Sequence, residues 1–136
     1  MPTPFGPQLI GETEKTLNAL LNALLAGRLS EPEWVTLRLA HLLEGEVGSA
    51  DQLAAAVSDR ARFDDAAELV RGLTAAGLLQ DGRPTAQSRA LVADLQEQIA
   101  VRIEPIWRDL PAEDLAAAAR VLTHVRDRAR AGLASL

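Results

Sequence analysis

Few side chains in this sequence could perform catalysis or hold a metal ion. The chain has no cysteine and only two histidines, His41 and His124, and neither has a partner at a spacing that completes a metal site. Neither histidine accompanies a recognisable serine nucleophile motif, and no glycine-rich phosphate loop occurs. The sequence therefore predicts no enzyme, no metal site and no bound cofactor.

Four arginines offer a different chemistry, the binding of phosphate groups. Arg60 and Arg62 fall in a predicted polar turn, residues 58–62, between two short helices. Arg71 lies about two turns into the second of these helices, and Arg83 follows a predicted hairpin turn. Guanidinium groups at such places can contact DNA phosphates and fix the register of a helix on the duplex, and an exposed, solvated helix face is the alternative for Arg71.

Acidic residues open the same second helix. Asp65 and Glu68 have the spacing of a capping box, and acids in a first turn complement the helix dipole, so Asp64 and Asp65 are interpreted as helix caps. They are also candidate ion-pair partners for Arg60 and Arg62, which would then be ordinary loop residues. Carboxylates beside a polyanion are repulsive, and an aspartate that accepts a hydrogen bond from a cytosine amino group is the minority alternative.

Helical periodicity covers most of the chain. Helix 1 is predicted from about Ile10 to Leu25 with Gly27 as its cap, helix 2 from the Ser30–Glu33 capping box to about Leu43, and helix 3 from the Ser49–Gln52 capping box through Val57. Helix 4 is predicted from Phe63 or Asp64 to Gly77. Helix 5 begins at a Thr85 cap and kinks or ends at Pro105, and helix 6 runs from about Leu110 to Leu133. Between helices 4 and 5, Leu78–Gln80 predicts a short strand and Asp81-Gly82 a two-residue hairpin turn.

The composition agrees with a mainly all-α protein. At 136 residues the chain suits one domain, and 48% hydrophobic but only 3% aromatic residues predict an aliphatic core that includes Trp34 and Trp107. The net charge of −5 argues against a protein that coats nucleic acid indiscriminately. No leader pattern and no long uncharged segment occur, so we expect a cytoplasmic protein that does not enter a membrane.

Three segments carry a family resemblance. They are LSEPEW at 29–34, LVRGLTAAGLL at 69–79 and LPAEDL at 110–115. Together with the order of the predicted elements, they resemble the MarR family of bacterial winged helix-turn-helix transcriptional regulators over nearly the whole chain.

The resemblance implies one continuous domain with three functional parts: an N-terminal dimerisation helix at 1–28, a DNA-binding lobe with a minimal β-hairpin wing at 29–84, and C-terminal dimerisation helices at 85–136. It implies a homodimer that inserts helix 4 into the major groove of a palindromic site on double-stranded DNA. It also implies a crevice beside Trp34, Arg38 and His41 for a small aromatic effector.

The chain departs from the family in two respects. Its wing is shortened to residues 80–84, with Arg83 as the one basic residue, and the first turn of helix 4 is acidic. These departures favour an alternative function, a protein-binding or ligand-sensing module that has lost its affinity for DNA. Both hypotheses predict a homodimer, because the apolar stripes of helices 1 and 6 exceed what one small lobe can cover.

Overall fold

The computed structural model describes residues 2–136, which form two compact units, residues 2–100 and 101–136. The elements in chain order are α1 (Pro7–Leu25), α2 (Glu31–Leu42), α3 (Ala50–Ala61), α4 (Ala66–Ala75), β1 (Leu79–Gln80), β2 (Arg83–Pro84), α5 (Ala86–Trp107) and α6 (Ala112–Ala134). The predicted class, mainly helical with a minimal two-stranded hairpin, is confirmed. No helix in the described part of the chain has the length and apolar character needed to span a membrane.

Local hydrogen bonds fix the start of α2 as predicted. The Ser30 hydroxyl accepts from the Glu33 amide at 3.2 Å, and the Glu33 carboxylate accepts from the Ser30 amide at 2.8 Å, which completes the capping box. Before it, α1 ends with Ala26 and Gly27 both in the left-handed region. The predicted glycine cap is therefore preceded by a strained alanine.

The turn between α3 and α4 is shorter than expected. The apolar positions Leu53, Val57 and Ala61 continue at a spacing of four, so the helix runs through residues that were predicted to form the polar turn. It ends at Arg62, whose φ of 61° lies in the left-handed region. Ser49 caps α3 by accepting from the Gln52 amide, but the Gln52 side chain bonds the Gly48 amide, so the predicted capping box is only half present.

Helix α4 begins at Ala66, two or three residues later than expected. Asp65 occupies the N-cap position but its side chain makes no capping hydrogen bond, so the predicted Asp65–Glu68 capping box is wrong. The C-terminal end follows expectation, since Gly77 adopts a φ of 81° and the Leu78 amide bonds the Leu73 carbonyl at 2.9 Å.

The hairpin is as small as its sequence predicts. Leu79 pairs with Pro84 and Gln80 with Arg83, and Leu78 lies outside the strand. Asp81 and Gly82 both have positive φ, as a two-residue primed turn requires. The tip does not project freely, because a Cβ at Gly82 would lie 2.6 Å from the Ser49 carbonyl carbon and closer still to its oxygen. The hairpin tip is therefore packed against the start of α3.

The core of the first unit is aliphatic and surrounds α2. It contains one tryptophan, Trp34, and its other fully or nearly buried members come from every helix of the unit: Leu25, Leu29, Leu37, Ala40, Leu53, Val57, Ala66, Val70, Leu73, Leu78, Leu79, Val92 and Leu95. Thr36 is fully buried within it, and its hydroxyl donates to the Pro32 carbonyl at 2.8 Å. Thr85 caps α5 by accepting from the Ser88 amide, as predicted.

The second unit comprises the end of α5, which passes Pro105 and ends at Trp107, and α6, which has no buried residue. The prediction that Trp107 is a core residue is wrong, because 52% of it is exposed. Among residues 2–136, the exposed large hydrophobic residues other than Phe5 and Leu42 lie in this unit: Val101, Ile106, Trp107, Leu110, Leu115, Val121, Leu122, Val125, Leu133 and Leu136.

Replacement of Gly82 tests the packing of the hairpin tip. We expect Gly82→Ala to lower the free energy of unfolding by more than about 2 kcal/mol, because a methyl group there meets backbone atoms of Ser49 in addition to the cost of a positive φ. Gly45→Ala is the matched control, since Gly45 also has a positive φ but open space around it, and should cost about 1 kcal/mol. Equal losses in urea denaturation would contradict the packed tip.

Candidate nucleic-acid interface

The six residues singled out for DNA binding are all exposed, and they lie on the segment that runs from the end of α3 to β2. Arg60 was predicted to lie in the link between the two helices, but it lies in the last helical turn of α3. Arg62 is the residue with left-handed backbone that follows this helix. Asp64 and Asp65 lie in the link before α4. Arg71 lies within α4 and Arg83 in β2.

None of these arginines makes an ion pair within the described part of the chain. The suggested pairing of Arg60 and Arg62 with Asp64 and Asp65 does not form, and the ion pairs that do form involve other residues. The Arg83 guanidinium lies near Gly48, and its Nη2 is 3.9 Å from the position that a Cβ atom on residue 48 would occupy. The four guanidinium groups are thus free to take an anionic partner.

The exposed face of α4 offers few long side chains. Its outward positions include Ala67, Gly72 and Ala75. The Thr74 hydroxyl donates a hydrogen bond to the Val70 carbonyl at 2.7 Å. Arg71 is the one cation of the helix, and Glu68 is its one carboxylate. With Asp64 and Asp65 just before it, the start of α4 is negative and its middle is positive.

Trp34, Arg38 and His41, the predicted effector-binding residues, each have a partner inside the protein. Trp34 is 8% exposed, and the Arg38 guanidinium lies 5.9 Å from the centre of its ring. With the Gln96 amide oriented to satisfy both groups, its oxygen accepts from Arg38 Nη1 at 2.7 Å. These contacts join α2 to α5.

A second set of polar contacts joins α5 to the end of α2 and the residues that follow it. His41 Nε2 lies 3.2 Å from Oγ of the fully buried Ser88. Arg89 forms a bidentate ion pair with Glu44, in which both terminal guanidinium nitrogens donate to the carboxylate. Sequence reasoning missed these pairs, because their members are more than forty residues apart and no local pattern relates them.

The surroundings of His41 favour its neutral form. Burial lowers the pKa of His41 below the ordinary 6.5, and the nearby positive charge of Arg89 lowers it further, while Glu44 opposes the shift. The hydrogen bond from Arg89 holds the pKa of Glu44 below its usual range. No group of histidine and carboxylate side chains suited to a metal ion occurs among residues 2–136.

Comparison of the chain with protein-family models, with curated proteins and with solved structures found no match. The resemblance to the MarR family therefore stays a prediction, and any assignment of function depends on the side chains described above.

Acidification should destabilise the protein through His41. Since its folded pKa is depressed, the associated stability is complete above pH 6.5 and is lost as the pH falls through 6.5 towards the folded value. We expect the free energy of unfolding to fall between pH 7 and pH 5.5, by an amount that solvent screening keeps small because the group is only partly buried.

Urea denaturation of two variants isolates this effect. His41→Gln should remove the pH-dependent loss, whereas His124→Gln, at an exposed position on α6, should retain it. Glu31 has a raised pKa, so its protonation at lower pH favours the folded state and opposes the effect of His41. Both variants retain Glu31, so this contribution is the same in each. The same pH dependence in both variants would disprove the role of His41.

Proposed function

We propose that this protein is a homodimeric bacterial transcriptional regulator with a winged helix-turn-helix lobe. The observation that carries the proposal is the succession of α3, a short link, α4 and a β-hairpin, with four unpaired arginines exposed along it. In such a lobe the second helix of the pair enters the major groove. Helix α4 is that helix here.

The arginines are suited to the DNA backbone more than to the bases. Arg60 and Arg62 stand at the end of α3, where they can approach phosphates on one side of α4, and Arg83 stands on the hairpin. Arg71 is the one α4 cation that can reach into a groove. Such contacts supply affinity and position the protein, and they carry little sequence information.

The dimer is supported by α6. Leu115, Ala118, Leu122, Val125, Ala129 and Leu133 recur at spacings of three and four and form one stripe, yet no residue of the helix is buried. A helix with an uncovered apolar stripe is typical of one that packs against a second chain. A two-fold dimer would present two α4 helices to half-sites about 34 Å apart on a roughly palindromic operator.

The acidic start of α4 favours a second candidate function, a winged-helix module that binds a protein or a small ligand and no longer binds DNA. Asp64, Asp65 and Glu68 are exposed, and no cation among the described residues pairs with them. Their repulsion of phosphates opposes the attraction of the arginines.

DNA binding is best measured by fluorescence anisotropy with duplexes from the gene's own upstream region. We expect salt-sensitive, sequence-selective binding in the nanomolar range. Changing Arg60, Arg62, Arg71 and Arg83 to alanine should weaken it about a hundredfold and reduce the salt slope by up to about four. The matched control removes as many positive charges elsewhere, by changing Arg102, Arg120, Arg128 and Arg130 to alanine.

Two outcomes decide between the candidate functions. If the first set of changes leaves affinity within about twofold, the assigned interface is wrong. If the wild type fails to bind any duplex at low salt, the acidic residues dominate and the second function stands. In the first function, changing Asp64 and Asp65 to asparagine and Glu68 to glutamine should raise the affinity for DNA.

Self-association through α6 is tested separately. Leu122→Asp puts a charge in the centre of the stripe and should give a monomer at micromolar concentration by light scattering, because an unpaired buried charge is costly. Ala116→Asp adds the same charge outside the stripe, about 120° around the helix from Leu122, and should leave a dimer. A monomeric wild type would disprove the proposed dimer.

A further inference from the structure

A solvent-open cavity of about 400 Å³ lies between α1, α2 and the end of α3. Its lining residues are Glu14, Asn18, Glu31, Val35, Leu39, Arg60, Ala61 and Phe63. Cavities of this size accept small organic ligands. None of Trp34, Arg38 and His41 lines it, so it is not the crevice that the family resemblance implies for an aromatic effector.

One wall of the cavity is apolar. Val35, Leu39 and Phe63 are all half-buried, and Leu39 and Phe63 pack directly against the core of the first unit. Phe63 is one of only two phenylalanines in the chain. An aromatic ring in such a wall can contact the flat apolar body of a ligand and, through the negative face of its π system, a cationic group.

The lining also contains two carboxylates. Glu14 comes from α1 and Glu31 from the first turn of α2, and neither carboxylate makes an ion pair with a residue that the structure describes. The Glu14 carboxylate accepts a hydrogen bond from the Asn18 side chain. Burial raises the pKa of Glu31, and the charge of Glu14 raises it further, so the two carboxylates lie close enough to repel each other.

We propose that this cavity binds a monovalent organic cation with an aromatic body. The ring system would pack on Val35, Leu39 and Phe63, and its positive charge would lie between Glu14 and Glu31, which relieves their mutual repulsion. Arg60 is the only cation in the lining, so the empty cavity has a net charge of −1 with both carboxylates ionised. This charge disfavours the small aromatic acids expected from the family resemblance.

The cavity shares Arg60 with the proposed DNA interface. Binding of the cation requires no DNA, so it is tested without DNA. The probe is the fluorescent cation dimethylaminostyryl methylpyridinium, whose emission rises when it is immobilised in an apolar site. The full-length wild type should bind it with measurable affinity, and the aromatic anions anilinonaphthalene sulfonate and salicylate should not compete. The double variant with Glu14→Gln and Glu31→Gln should bind the cation about tenfold more weakly, since it loses both carboxylates that would face the positive charge.

The matched control is Glu97→Gln, which removes one carboxylate from an exposed position on α5 outside the cavity. It should bind the probe like the wild type. Unchanged affinity in the double variant, an equal loss in Glu97→Gln, or tighter binding of the anions would overturn the proposal. A third variant, Phe63→Leu, keeps both carboxylates and should weaken binding of the aromatic probe, so that the site remains testable if the double variant is unstable.

Discussion

The packing of α2 against its neighbouring elements is the interaction on which the rest of the first unit depends. This helix contacts α1, α3, α4 and β2, and it places Trp34, Leu37 and Ala40 in the core. With so few aromatic residues in the chain, the core is filled by small aliphatic side chains, which must pack closely to exclude voids. Two of its polar side chains, Arg38 and His41, contact residues of α5.

Local chemistry was predictable, and contacts between distant segments were not. The Ser30 capping box, the Gly77 helix end and the Asp81-Gly82 turn each depend on a few neighbouring residues, and each has the predicted form. The end of α3 was misplaced because Ser58–Ala61 has polar residues typical of a turn. Those residues remain helical, since the apolar spacing that contacts the core continues to Ala61.

The candidate sites show the same division. The exposure of the arginines follows from their positions relative to the apolar stripes, and it could be predicted from the sequence alone. The cavity beside Phe63 could not, because its carboxylates belong to two helices and its apolar wall to α2 and to the link after α3. Only the three-dimensional packing of α1 on α2 brings Glu14 near Glu31, and neither residue lies in a motif.

The two tryptophans lie one in each unit, and the chain has no tyrosine. Trp34 is enclosed by aliphatic side chains with a guanidinium over its ring, whereas half of Trp107 is open to water. Their indole emission spectra must therefore differ, with the buried ring emitting at shorter wavelength. The protein thus contains a separate intrinsic optical reporter for each unit, and a variant with a single tryptophan would follow the unfolding of one unit without an attached dye.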